Sequence, residues 1–272
     1  MQLQLKKFNM KMIKDDQVVT MIGSRGSGKS VLTKDLLYHK RHLPVGTVIS
    51  PTENANKFYS SIVPPIFIHD EYTPEVISSF MKKQKRLKKR IRSGEKGLDN
   101  KAFLILDDCL YDASWKKDKR IREIFMNGRH WDIMFVVIMQ YAMGVPPNLR
   151  TNMDWIFILR ENYISNRKRL FEQYAGMFPT FDMFCATMDQ CTNNYECLVV
   201  HRSSKSNKLE DQVFWYKADM HNNFRTCCPE AWRYSMENYV EDEDSDDGEN
   251  TSMEEYIKSK RRGPLIRIQK TD

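Results

Sequence analysis

Apolar and polar positions along the chain fall into short blocks whose period switches between that of a strand and that of a helix. Val18–Ile22 is a largely apolar, β-branched run and predicts a strand buried on both faces. Residues 45–50 repeat the pattern and stop at Pro51, and residues 66–68 predict a third, shorter strand. Residues 30–41 carry a helical period between the first two strands. A second helix opens at Thr73, whose hydroxyl suits an N-cap, with Pro74 at the first helical position. That helix runs into a basic stretch and ends at Ser93-Gly94. Further strands are predicted at residues 103–106, 133–139 and 155–159. A helix at residues 121–127 should be terminated by Gly128. Residues 165–190 read as helical with a break near Pro179, and residues 196–201 and 212–217 as a β pair around a polar turn. Strands alternating with helices predict an α/β fold with a mostly parallel central sheet flanked by helices.

The 272 residues suit one such domain with an appendage. We expect residues 1–228 to form it and residues 229–272 to be an acidic tail without a packed fold. Residues 237–249 hold eight acids and no base, so the rest of the chain carries 43 basic against 28 acidic residues, a net +15. Such a body suits a polyanionic partner. The apolar runs fall far short of the roughly 20 residues a membrane helix needs. The opening Met-Gln-Leu-Gln-Leu-Lys-Lys-Phe lacks the apolar core of a secretory signal, so an intracellular protein is expected. Six cysteines are then reduced thiols. Cys185, Cys191 and Cys197, followed by His201, are spaced more widely than the usual zinc-ligand pairs.

The chemistry concentrates after the first strand. Residues 23–30 read Gly-Ser-Arg-Gly-Ser-Gly-Lys-Ser, a complete Walker A loop between a strand and a helix. Gly23, Gly26 and Gly28 let backbone N–H groups wrap phosphates closely, with Ser24, Arg25, Ser27 and Val31 completing the cradle. Lys29 is placed to reach the β/γ-phosphates of ATP, and Ser30 to ligate Mg2+. Residues 103–108, Phe-Leu-Ile-Leu-Asp-Asp, have the form of a Walker B strand. Asp107 is the candidate metal ligand and Asp108 the group that activates water. Gln140 follows the apolar strand at 133–139 and is the candidate γ-phosphate sensor. Arg129, Arg150, Arg160 and Arg167 are candidate arginine fingers, Arg150 foremost and Arg129 next; a finger acting on a neighbour requires an oligomer. From Lys82 to Lys96 the chain has nine Lys or Arg and a single acid, Glu95, a composition suited to phosphate contacts.

In their order, these segments resemble the genome-packaging ATPases of large nucleocytoplasmic DNA viruses, relatives of the FtsK and HerA translocases. The match lies in the Walker A segment from Val18, Phe103 to Cys109, Asn127 to His130, Val136 to Tyr141, Glu196 to Val200 and Phe214 to Asp219. The resemblance implies a RecA-like P-loop NTPase of the ASCE type with strand order 5-1-4-3-2. It also implies double-stranded DNA as partner, a homo-oligomeric ring, and work at a viral assembly site in the host cytoplasm, with a place in the virion. A capsid or core protein could dock the acidic tail. The second Walker B acid of the wider translocase group is commonly Glu; Asp108 is one methylene shorter. Two other readings share the P-loop: a phosphotransferase acting on a small substrate, and a nucleotide-dependent scaffold that binds ATP with negligible turnover.

Overall fold

The computed structural model describes residues 3–109 and 114–239. The order of strands and helices is β1 (Lys6–Lys7), β2 (Val18–Ile22), α1 (Lys29–His39), β3 (Val45–Ile49), α2 (Glu53–Asn56), β4 (Ile68–His69), α3 (Pro74–Arg92), β5 (Ala102–Asp107) and α4 (Lys119–Asn127). Then follow β6 (Ile133–Met139), α5 (Pro147–Arg150), β7 (Trp155–Ile158), α6 (Ile164–Tyr174), α7 (Phe181–Cys191), β8 (Glu196–His201), β9 (Val213–Lys217) and α8 (Pro229–Asn238). The sheet order is β1-β9-β8-β7-β2-β6-β5-β3-β4. From β7 through β4 every pairing is parallel, whereas β8 runs antiparallel to both β7 and β9. If the Walker A strand is numbered 1, the central five strands follow 5-1-4-3-2.

These strands are apolar on both faces because both faces are covered. Alternate side chains of β5 and β6 enter opposite cores. Leu104, Phe135 and Val137 pack with Ile121 and Ile124 of α4. Phe103, Ile105, Val136 and Ile138 pack with Leu32, Leu36 and Leu37 of α1. Truncating a fully buried aromatic such as Phe135 would cost about 3–5 kcal/mol.

Three local expectations shift. The strand read at 66–68 contracts to Ile68–His69, because Pro64 and Pro65 lead into a 3-10 turn over Pro65–Phe67. Gly128 does not end its helix in a left-handed conformation: the chain continues as a 3-10 turn over Gly128–Trp131, and Asp132 turns it at φ 54°. Helix α8 extends the packed unit to Asn238, beyond the boundary expected at 228. Its Ala231 and Ser235 are buried, and Ser235 Oγ accepts from the Ile66 N–H at 3.1 Å. The acidic run expected to be unpacked lies almost wholly outside the described residues. No helix among the described residues is long and apolar enough to cross a membrane.

Candidate functional site

Strand register brings the candidate residues to one edge of the sheet. Ile22 of β2 pairs with Met139 of β6, and Ile138 of β6 pairs with Asp107 of β5. The loop after Ile22, the residue after Met139 and the residue after Asp107 therefore emerge side by side. A parallel sheet places all three C-terminal ends at the same edge, where such folds bind ligands.

At that edge, Gly23 donates its N–H to Met139 O at 3.1 Å, tying the loop to the neighbouring strand. A Cβ on Gly23 would stand 2.8 Å from Leu159 Cβ, so only glycine fits there. Gly28 sits at φ 103° as the N-cap of α1, and no side chain caps that helix. Its first N–H groups remain available to an anion, and the helix dipole favours one. Lys29 folds back so that Nζ donates to Gly23 O at 2.7 Å and to Ser24 O at 2.9 Å. Burial pulls its ammonium below the ordinary lysine range, opposed by Asp108 and Asp107.

The two acids have different surroundings. Burial pushes the Asp107 carboxyl up to about 6, opposed by the Tyr59 hydroxyl, which donates to Oδ2 at 2.8 Å. Asp108 turns out of the strand at φ 55°, a conformation aspartate tolerates better than most residues. The Gln140 amide donates to Asp108 Oδ2. Ser30 and Asp107 offer a hydroxyl and a carboxylate, the hard oxygen donors that Mg2+ takes.

These groups line one cavity of about 1030 Å³. Arg25, Gly26, Gly28, Lys29, Ser30 and Val31 reach it, together with Asp107, Asp108 and Gln140. Gly23, Ser24 and Ser27 instead frame the loop behind it, Ser27 Oγ donating to Ser24 O at 2.8 Å. The facing wall is one that sequence motifs did not mark. Tyr195 comes from the entry to β8, and Lys217 and Met220 from the exit of β9. Tyr195 is 70% exposed and lies against Gly28. Tyr59 and Glu53 were also unmarked. The buried Glu53 carboxylate accepts the N–H groups of Tyr59 and Ser60 at 2.9 and 2.8 Å, shaping the loop that presents Tyr59.

The arginines do not gather at the cavity. Arg150, the foremost finger candidate, is 4% exposed. Its Nε donates to Val145 O at 2.8 Å, its other nitrogen to Gln173, and its guanidinium lies over the Tyr174 ring. These internal bonds engage its guanidinium within the fold, and it does not line the cavity. Arg167 is likewise engaged, with Glu161 O and Asp189. Arg160 is exposed after β7, its Nε on Asn162 at 3.0 Å. Arg129 is exposed too, but it precedes β6 and so lies at the sheet edge opposite the P-loop. The three spaced cysteines and His201 do not form a ligand group among the described residues; His201 stacks on Trp155 at 3.8 Å.

The model of the Poxvirus A32 protein family matches residues 5–220. An uncharacterised protein of Acanthamoeba polyphaga mimivirus is 37% identical over 259 residues, covering 89% of this chain and 90% of that one. A second, of Invertebrate iridescent virus 6, is 38% identical over 227 residues, covering 82% and 86%. In structure, the chain is similar to the genome packaging NTPase of Sulfolobus turreted icosahedral virus 2, with a TM-score of 0.52 at 14% identity, over 77% of this chain and 100% of that one. At that identity the likeness shows a shared P-loop NTPase fold. With the motifs on one cavity edge and the family match running from before the Walker A loop to beyond β9, the chain belongs to the Poxvirus A32 protein family.

Proposed function

We propose that the chain hydrolyses ATP to drive double-stranded viral DNA into a capsid during virion assembly. The observation that carries this reading is the convergence of Lys29, Ser30, Asp107, Asp108 and Gln140 on one cavity. The family and the packaging NTPase of similar fold support it.

In this reading, Lys29 exchanges the carbonyls of Gly23 and Ser24 for β/γ-phosphate oxygens, while the N–H groups at the start of α1 hold the phosphate chain. Mg2+ held by Ser30 and Asp107 would neutralise charge on the phosphates. Asp108 orients the attacking water and receives its proton as ATP becomes ADP and phosphate. Gln140, hydrogen-bonded to Asp108, senses the γ-phosphate and passes its loss to β6. Arg150, buried, is replaced as the finger candidate by Arg129, which is exposed at the sheet edge opposite its own P-loop and would act on a neighbour in a homo-oligomeric ring.

The DNA surface is the exposed side of α3. Lys85 and Lys88 pair with Glu123 and Asp132, and Arg90 with Glu95. Lys82, Arg86, Lys89 and Arg92 face solvent, positioned for phosphates. The assembly site is in the host cytoplasm, with a place for the protein in the virion and docking to capsid or core proteins. The decisive experiment is steady-state ATPase turnover with and without long duplex DNA across a salt series. Stimulation at low salt that fades as salt rises is expected. Turnover without any DNA response would favour the phosphotransferase, and tight ATP binding with negligible turnover the scaffold.

A further inference from the structure

Behind the P-loop, three side chains outside the proposed catalytic apparatus converge. Asp35 and His39 lie one turn apart on α1, and His221 comes from the segment after β9. One ligand atom from each falls within 4.8 Å of the others, a grouping of three found among the described residues at this place. Asp35 is fully buried, and the His39 and His221 side chains are 26% and 16% exposed. The i,i+4 spacing puts Asp35 and His39 on the same helix face.

We propose that Asp35, His39 and His221 form a zinc site that clasps the P-loop helix to the chain leaving β9. The donors are two imidazole nitrogens and a carboxylate oxygen, a set that suits zinc better than magnesium or calcium. Both Nε2 atoms lie near the same oxygen, Asp35 Oδ1, with His221 hydrogen-bonded to it at 2.7 Å and His39 at 3.5 Å from it. In a tetrahedral zinc site with bonds of roughly 2.0–2.1 Å, neighbouring donor atoms stand about 3.3 Å apart. The His39 separation is already close to that value, and the His221 pair has to open by about 0.6 Å. Solvent at the partly exposed His39 side supplies a water as fourth ligand.

The surroundings of Asp35 have the form expected around a metal-bound carboxylate. Its other oxygen, Oδ2, accepts the Tyr216 hydroxyl at 2.5 Å and the Asp219 N–H at 3.3 Å. Such outer bonds fix a ligating carboxylate in place. Tyr38 stacks on the His221 ring at 3.7 Å and 7°, and Phe224 meets that ring edge-on at 6.3 Å, so its orientation is held before any ion arrives. The site ties two walls together. Helix α1 begins at Lys29, and Met220 next to His221 lines the cavity. A zinc ion there sets how firmly the β9 wall is held against the phosphate loop, a role independent of the hydrolysis reading.

The test uses the full chain, stripped with a chelator and titrated with Zn2+ against a chromophoric competitor, and in parallel with Co2+. One zinc per chain is expected, with the visible spectrum of a tetrahedral nitrogen–oxygen site and no thiolate charge-transfer band. His39→Ala and His221→Ala should each weaken binding on the order of 100-fold or more, and Tyr216→Phe by roughly 10–100-fold through loss of the outer bond. Circular dichroism checks each fold, and His39, in the last turn of α1, is the variant least able to disturb it. Zinc should raise the melting temperature of the wild type but not of His39→Ala. Absence of stoichiometric zinc, a thiolate band, or binding unchanged in the histidine variants would overturn the proposal and leave a hydrogen-bonded Asp–His network only.

Discussion

On one side of the nucleotide cavity, the polar groups project from the ends of three adjacent parallel strands buried along nearly their whole length. On the other, Tyr195, Lys217 and Met220 project from the open end of an antiparallel hairpin and are exposed. The first wall is rigid because every strand is paired on both sides and packed on both faces. Groups that must meet phosphate charge with little reorganisation gain from such a mounting. The second wall holds contact surface rather than converging charge, and suits recognition of the rest of the ligand.

The largest effect should come from the first wall. Lys29→Ala removes the ammonium held within the loop and should lower ATPase turnover by about 10²–10³-fold, with circular dichroism unchanged. Wild-type turnover in that variant would sink the assignment. Arg150→Ala separates fold from chemistry behind the same wall. Losing a buried guanidinium with two hydrogen-bond partners should cost about 2–4 kcal/mol in denaturant unfolding, while turnover per folded molecule stays near wild type. A collapse of turnover at full stability would return Arg150 to the active site.

Asp107 gives a smaller, pH-dependent effect. Its carboxyl is raised to about 6 from 3.8, chiefly by burial. The folded chain therefore binds more protons than the unfolded chain between those values, and this group's contribution to stability falls as pH rises from about 4 to about 6. Above pH 6, without nucleotide or divalent cation, Asp107→Asn should be more stable than wild type by on the order of 2 kcal/mol. Melting curves at pH 4 and pH 7 test this; an equal difference at both would refute it. The second wall should yield the smallest change. Tyr195→Ala is expected to raise the KM for ATP about 3–10-fold with kcat nearly unchanged, the scale of one aromatic contact. A loss in kcat instead would mean that the hairpin takes part in chemistry.

The same two walls divide what the sequence made legible. Asp107, Asp108 and Gln140 stand at the ends of apolar strands and Lys29 closes the loop that follows another, so their shared edge was readable once the strands were assumed parallel. Tyr195 and Lys217 carried no such mark, because their position depends on which way β8 and β9 run. Tyr59 reaches Asp107 across 48 positions, through a turn held by the buried Glu53. Arg150, the foremost finger candidate of the sequence, carried no mark of its inward contacts: its guanidinium meets Gln173 and Tyr174. The 3-10 turn at Pro65 and the helix past Cys228 were local departures. There, adjacent prolines and a packing partner at Ile66 outweighed the composition of the segment.

The reversal of direction at β8 has a practical consequence. Trp155 pairs with His201 and Ile158 with Leu198, so the turn joining β8 to β9 lies at the edge of the sheet farthest from the P-loop. Ser203 and Lys205 to Lys208 in that turn form no part of the nucleotide cavity. An epitope or a fluorophore grafted between Ser203 and Lys208 would report on the molecule while leaving both walls untouched.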